Sequence, residues 1–239
     1  AHYTGDSIPI TVKDYELDFG DAPDTGPGTG AGNYQTLSSD NGAAHVIGEV
    51  RLGSAVDNED EGQPSANADG DDIGGGPAPS QPTTAGTGVF DDEDGVTFGT
   101  IVAGQMATIT VDVQTQVSGS VFSAGVSKQG VTGPVLDAWI DWNQDGVWDN
   151  STERIVNLPV TPGQSPMLMF PVPEDAVEGE TYARFRVSSA GALDPTGTVM
   201  TGEVEDYKVN VIVPGTRISL RSNNPGASVG PGPTSSLLI

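Results

Sequence analysis

The run Asp141-Trp-Asn-Gln-Asp-Gly-Val-Trp-Asp149 limits what this chain can become, because it sets oxygen side chains at Asp141, Asn143, Asp145 and Asp149 of one short segment. Such spacing wraps oxygens around a cation. Ca²⁺ takes roughly 6–8 oxygen ligands, with a glycine at the sharp turn and a backbone carbonyl offered just after it. Gly146 and Val147 occupy those two places. Carboxylates packed this densely without a cation repel one another. A helical EF-hand does not fit. Its closing acid is replaced by Thr152, Glu153 falls one residue late, and Leu136-Asp-Ala-Trp-Ile140 alternates as a strand does. The pattern predicts a calcium loop on a β-hairpin, with Asp141, Asn143, Asp145, Asp149 and Glu153 giving side-chain oxygens and Val147 its carbonyl. The plainer alternative is a hydrated Asp/Asn/Gly turn between two strands.

Period-two alternation recurs through the second half. Ala107, Ile109, Val111 and Val113 share one face, as do Leu168, Phe170 and Val172. Ala183, Phe185 and Val187 alternate with Tyr182, Arg184 and Arg186, and Tyr207, Val209, Val211 and Val213 mark a last strand. Strands of this kind separated by Gly, Pro and Asn turns predict an all-β fold, an antiparallel β-sandwich with long acidic calcium-binding loops. No amphipathic helix is expected beyond one turn in Pro173-Glu-Asp-Ala-Val-Glu178. The expected organisation is an N-terminal arm over 1–13, a sandwich domain over 14–214, and a Gly/Pro/Ser-rich tail or linker over 215–239. Within the arm, Ile8, Ile10 and Val12 alternate around Pro9, as in an edge strand or a strand donated to a neighbour. Asp18-Phe-Gly-Asp-Ala-Pro-Asp24 is expected to be a turn, and His45–Leu52 a short apolar stretch.

The net charge is −24. A field of that sign repels nucleic acid and anionic membranes and attracts cations. No apolar run reaches the length of a membrane span. Cysteine is absent, so metal rather than disulfide is the expected brace. The opening Ala1-His2 fits a mature end left by cleavage after a small residue. From Leu52 to Ser127 there is no Lys or Arg, while acids crowd Asp57–Glu61, Asp69–Asp72 and Asp91–Asp94. Glycines punctuate these runs and strand-like residues follow them. At least one further cation site is therefore expected there, drawing on Asp57, Glu59, Asp60, Asp69, Asp71, Asp72, Asp91, Asp92 and Asp94. The alternative is a solvated acidic segment.

At Gly202-Glu-Val-Glu-Asp206 the chain resembles the GEVED domain, a module named for that pentapeptide and found in large secreted and surface proteins of bacteria. Further matching pieces are Asp18-Phe-Gly-Asp-Ala-Pro-Asp24, Asn41-Gly-Ala-Ala-His-Val46, Leu52-Gly-Ser54 with Asp57, Asp60-Glu-Gly-Gln-Pro64, Gly70-Asp-Asp72, Asp91-Asp-Glu-Asp-Gly-Val96, Ala138-Trp-Ile-Asp-Trp-Asn143 with Asp145-Gly146, and Ala183-Arg-Phe-Arg186. The resemblance implies a non-enzymatic β-sandwich module at a secreted or extracellular cell-surface location. The chain departs from the commonest pattern at Asn150-Ser-Thr152, which precedes Glu153.

Arg184 and Arg186 share a strand face, and bidentate pairing with the acidic Glu-Val-Glu-Asp segment would fix register between neighbouring strands. The rival is that Glu203 or Glu205 binds calcium. Trp139, Trp142 and Trp148 surround the loop. Exposed, they would stack sugars; buried, they cover the core beneath it. His45 among apolar residues fits a backbone hydrogen bond better than metal ligation. Gly226-Ala-Ser-Val-Gly230 resembles a nucleophile elbow but lacks the strand–turn–helix it needs. These residues predict a calcium-stabilised structural or adhesive module, as one link of a surface protein or a self-assembling fibre or layer subunit. Its partners would be other copies or neighbouring domains. A carbohydrate-binding module with glycan partners is the alternative class, and a glycan-acting hydrolase the remote one.

Overall fold

Burial alternates along residues 106–111, where Ala107, Ile109 and Val111 turn inward. The computed structural model describes residues 15–56, 58–70, 92–115, 133–191 and 193–215. The arm at 1–13, the residues Asp57, Asp71, Asp72 and Asp91, the 73–88 linker and nearly all of the tail lie outside them.

Twelve strands are present among the described residues: β1 (Leu17–Phe19), β2 (Ala44–Ile47), β3 (Val50–Leu52), β4 (Val96–Phe98), β5 (Ile101–Val102), β6 (Met106–Val111), β7 (Val113–Thr115), β8 (Val135–Ile140), β9 (Arg154–Pro159), β10 (Met167–Pro171), β11 (Gly179–Ser188) and β12 (Thr198–Ile212). The largest sheet runs β1-β2-β12-β11-β8-β9, with β5 also on β12; β10-β6-β4 and β3-β7 form two smaller sheets. One apolar core joins them. Ile109 and Val111 of β6, Leu52 of β3 and Phe170 of β10 pack with Leu136, Ile140, Phe185 and Val211 of the large sheet. This is the expected all-β layered architecture, with antiparallel pairing dominant.

Several details differ from expectation. Only the start of the Asp18–Asp24 segment departs from a turn: Leu17, Asp18 and Phe19 form β1 by pairing with Val46, His45 and Ala44, and residues 20–24 are irregular. The apolar stretch after His45 splits into β2 and β3 at Gly48-Glu49, and β2 and β3 join different sheets. The last strand extends N-terminally to Thr198, so its opposite flank accommodates both β2 and β5, each in parallel. Pro173–Glu178 makes a turn closed by Ala176 N–H donating to Pro173 O at 3.3 Å.

Candidate metal centre

The hairpin of β8 and β9 carries the loop at 141–153, as the strand alternation required. Asp141 follows the last β8 residue and is fully buried. Its Oδ2 accepts from the Tyr34 hydroxyl at 2.7 Å and from Gly146 N–H at 2.9 Å, and its Oδ1 accepts from Asp145 N–H at 3.3 Å. Asn143 Oδ1 accepts from Asp145 N–H, and Asp145 Oδ1 from Val147 N–H, both at 2.9 Å. Asp149 Oδ1 accepts from Ser151 N–H at 2.6 Å. Gly146 is required twice over. Its φ is +80°, and a Cβ there would lie 1.8 Å from Gly30 O, so the turn presses against the 25–33 loop. Short side-chain-to-backbone bonds thus shape the loop.

Glu153 spans this loop from beneath. Its Oε1 accepts from Trp142 N–H at 3.0 Å and its Oε2 from Asp149 N–H at 2.8 Å. Burial, and then the charge of Asp141, push its carboxyl up to about 7. The side chain of Val147 is exposed. Among the described residues, no three Asp, Glu or His side chains stand as a finished set of metal ligands. Each carboxylate here does retain lone pairs beyond the hydrogen bonds named, since it has about four acceptor sites. The donor set is therefore oxygen-rich and suited to a hard cation.

All three tryptophans are buried. Trp148 stacks on Tyr34 with centroids 4.5 Å apart, and the Arg184 guanidinium lies 4.2 Å above the Trp148 ring. Trp139 Nε1–H donates to Asn150 Oδ1 at 2.9 Å, and Trp142 belongs to the main core. The exposed ring on which a sugar would stack is thus missing at these three residues. They cover the core instead.

The arginine face divides its work. Arg184 lies opposite Asp206 in register and donates from Nε and Nη2 to its two carboxylate oxygens, each at 2.7 Å, with both side chains fully buried. The expected bidentate pair is present. Arg186 takes no such carboxylate bond. It donates to the carbonyls of Asp194, Thr196 and Gly197 and, from Nε, to His45 Nε2 at 2.9 Å. His45 Nδ1 meets Thr201 O at 2.9 Å, the backbone bond its sequence context suggested.

The described part of the acidic stretch is folded onto the domain. Glu59 Oε2 accepts from Phe19 N–H at 2.9 Å, and Asp94 from Ser54 N–H at 2.7 Å. Asp69 accepts from the Ser65 hydroxyl at 2.6 Å. Asp60 is exposed, whereas Glu59 and Asp92 are buried. Glu203 and Glu205, weighed from the sequence as arginine partners or calcium ligands, are almost fully buried, and so is Asp18, which the sequence placed only in a turn. The signal was legible, because Glu203 and Glu205 are in phase with Tyr207, Val209 and Val211, the core-facing set.

A layered all-β domain with an oxygen-rich hairpin loop is the class this geometry defines. Residues 135–210 match the GEVED domain model, which bears out the resemblance over the hairpin and the two longest strands. No curated protein matches the chain. Among solved structures, the CARDB domain of a Pyrococcus furiosus protein, determined by solution NMR, is similar at 16% identity. It covers 49% of this chain and 90% of its own, with a TM-score of 0.26. Among the described residues no helix is long and apolar enough to cross a membrane.

Proposed function

We propose that this chain is a calcium-stabilised structural or adhesive module of a bacterial extracellular surface protein. The carrying observation is the 141–153 loop, where Asp141, Asn143, Asp145, Asp149 and Glu153 crowd their oxygens onto one hairpin without a basic side chain between them. The GEVED match and the net charge of −24 support an extracellular setting rich in cations. Calcium acts here as part of the architecture, bracing a hairpin loop whose Asp141 accepts from the Tyr34 hydroxyl and whose turn at Gly146 meets Gly30. No catalytic role is assigned to the carboxylates.

Calorimetric titration of the metal-free chain with Ca²⁺ tests this reading. Asp141→Ala and Asp145→Ala should each remove one binding event. Glu174→Ala, at an exposed carboxylate in the turn before β11, should leave the titration unchanged. Equal effects from all three would mean that general charge, not coordination, is being measured.

One observation favours the self-assembling version. Met106, Met167 and Met169 are exposed at 54%, 67% and 61% on the outer face of the β10-β6-β4 sheet. Met169 and Pro171 stand opposite Thr108 and Met106, so the apolar groups form one strip. Contiguous exposed apolar surface marks contact sites. A second copy is the occupant proposed. Light scattering with and without calcium should detect its assembly, and Met169→Lys should reduce it. A monomer at every concentration would remove this version.

A further inference from the structure

We propose that Glu203 and Glu205, with Asp18 and Asp92, hold a second divalent cation of the calcium type inside the fold, at a place separate from the 141–153 loop. Glu203 and Glu205 stand opposite Val187 and Phe185 in the β11–β12 register. Directly paired residues share a sheet face, so both carboxylates enter the layer that Val187 and Phe185 fill. Glu203 and Glu205 are each 1% exposed.

The oxygens of this pair can be followed one by one. Glu205 Oε1 accepts from Gly95 N–H at 2.9 Å, and its Oε2 from the Tyr207 hydroxyl at 3.0 Å. Glu203 Oε2 accepts from Leu52 N–H. Glu203 Oε1 is buried and has no hydrogen-bond partner. Asp18 Oδ2 accepts from Val204 N–H at 2.7 Å, which brings a third carboxylate to the same stretch of β12. Asp92, in the segment that leads into β4, is one of the charges acting on Glu203, after Glu205 and Asp18. Among the described residues no basic side chain forms an ion pair with Glu203 or Glu205. The register places Arg184 and Arg186 opposite Asp206 and Val204, on the other face of the sheet.

Burying a carboxylate without a partner costs several kcal/mol, and like charges nearby add to that. A dication removes both penalties at once. Residues i and i+2 of a strand are separated by about 7 Å, a span that two glutamate side chains close around an ion bound at about 2.3–2.6 Å. The four groups do not yet meet at one point, so binding draws the side chains inward. Burial and the neighbouring acids hold Glu203 well above the usual carboxylate range, as expected for a group that lacks its counter-ion.

This site does not depend on the loop. Ile140 pairs with Ala183, which pairs with Tyr207, four residues along β12 from Glu203. Residue rises of ~3.3 Å and two strand spacings of ~4.8 Å set the two places roughly 16 Å apart, too far for one ion.

The test is a calcium count per chain by native mass spectrometry on the full chain, joined to melting curves in chelator and in excess Ca²⁺ at pH 8. Glu203→Gln should bind one ion fewer than the unaltered chain. It should melt higher in chelator, where a buried charge is gone, and gain less from calcium. Asp145→Ala should lose a different ion, so that the double variant loses two. A Glu203→Gln protein with an unchanged calcium count that melts higher in both conditions would overturn the proposal and leave a buried carboxyl that merely keeps its proton. Loss of an ion in Glu203→Gln but not in Asp145→Ala would retire the loop site and keep this one. If Glu203→Gln does not fold, Glu205→Gln and Asp92→Asn are read by the same count: one ion fewer supports the site, and an unchanged count in both overturns it.

Discussion

The Tyr34 hydroxyl donates to Asp141 Oδ2 at 2.7 Å, joining two loops 107 residues apart in sequence. The contact is buried, and Trp148 stacks on the same tyrosine ring. Burial, and then Asp141, hold the Tyr34 hydroxyl far above its usual range, so it remains a donor at any ordinary pH. Tyr34→Phe keeps the stack and removes the bond. Leaving a buried carboxylate oxygen short of a donor costs about 1–3 kcal/mol. Urea unfolding should show a loss of that size, and calcium titration a weaker loop site. Unchanged stability would mean that water replaces the hydroxyl freely.

Two glycines with similar backbones separate conformational cost from collision. Gly146 has φ +80° and a prospective Cβ 1.8 Å from Gly30 O, while Gly163 has φ +79° and open space around it. Gly163→Ala should cost about 1 kcal/mol, for left-handed backbone alone. Gly146→Ala should cost clearly more and release the contact between the 141–153 and 25–33 loops. Equal melting temperatures for the two variants would contradict the close approach.

The Arg184–Asp206 fork predicts a severe loss on truncation. Arg184→Ala strands a fully buried carboxylate and should cost about 3–5 kcal/mol. Arg184→Lys should recover little, because an ammonium cannot reproduce the planar two-point contact. Chemical denaturation of both variants decides this; full rescue by lysine would reduce the pair to simple charge neutralisation.

Without metal, the buried carboxyls give the protein an unusual pH dependence. Glu153 is pushed up to about 7 and Glu205 to about 8, each chiefly by burial, against an ordinary 4.5. Over that window the folded state holds protons that the unfolded chain has released, so stability falls as pH rises from about 4.5 to 8. His45 acts oppositely. Burial, and then Arg186, hold it neutral well below its usual 6.5, so its contribution is lost as pH falls below 6.5. In chelator, Glu205→Gln should flatten the decline between pH 7 and 8, where His45 no longer titrates. Melting temperatures across that range in both proteins check it. A decline equally steep in the variant would assign it to other groups.

Much of the fold was legible because alternation is a local property. The phase of Ala107, Ile109 and Val111, and that of Ala183, Phe185 and Val187, gave their faces directly. The flanks of Asp141–Asp149 gave the hairpin. Pairing is non-local, and there the sequence was silent: nothing near Asp18 reveals that His45 lies across from it, or that β12 takes parallel partners at both ends. Arg186 was misassigned for a similar reason. Its partners are the backbone carbonyls of Asp194, Thr196 and Gly197, and a backbone acceptor leaves no mark in residue types. The tryptophans were readable only as large apolar groups, and the partners that cover Trp148, Tyr34 and Arg184, come from distant segments.

The most direct measurement of the central claim is the melting temperature of the full chain after chelation, with metal content verified, and after return of Ca²⁺ or Mg²⁺. An ion that binds only the folded state stabilises it by about 4 kcal/mol at a thousandfold excess over its dissociation constant. Chelation should lower the melting temperature by several degrees or more, Ca²⁺ should restore it, and Mg²⁺ should restore it poorly because it sheds water reluctantly and demands tighter geometry. An unchanged melting curve in metal-free protein would contradict the account.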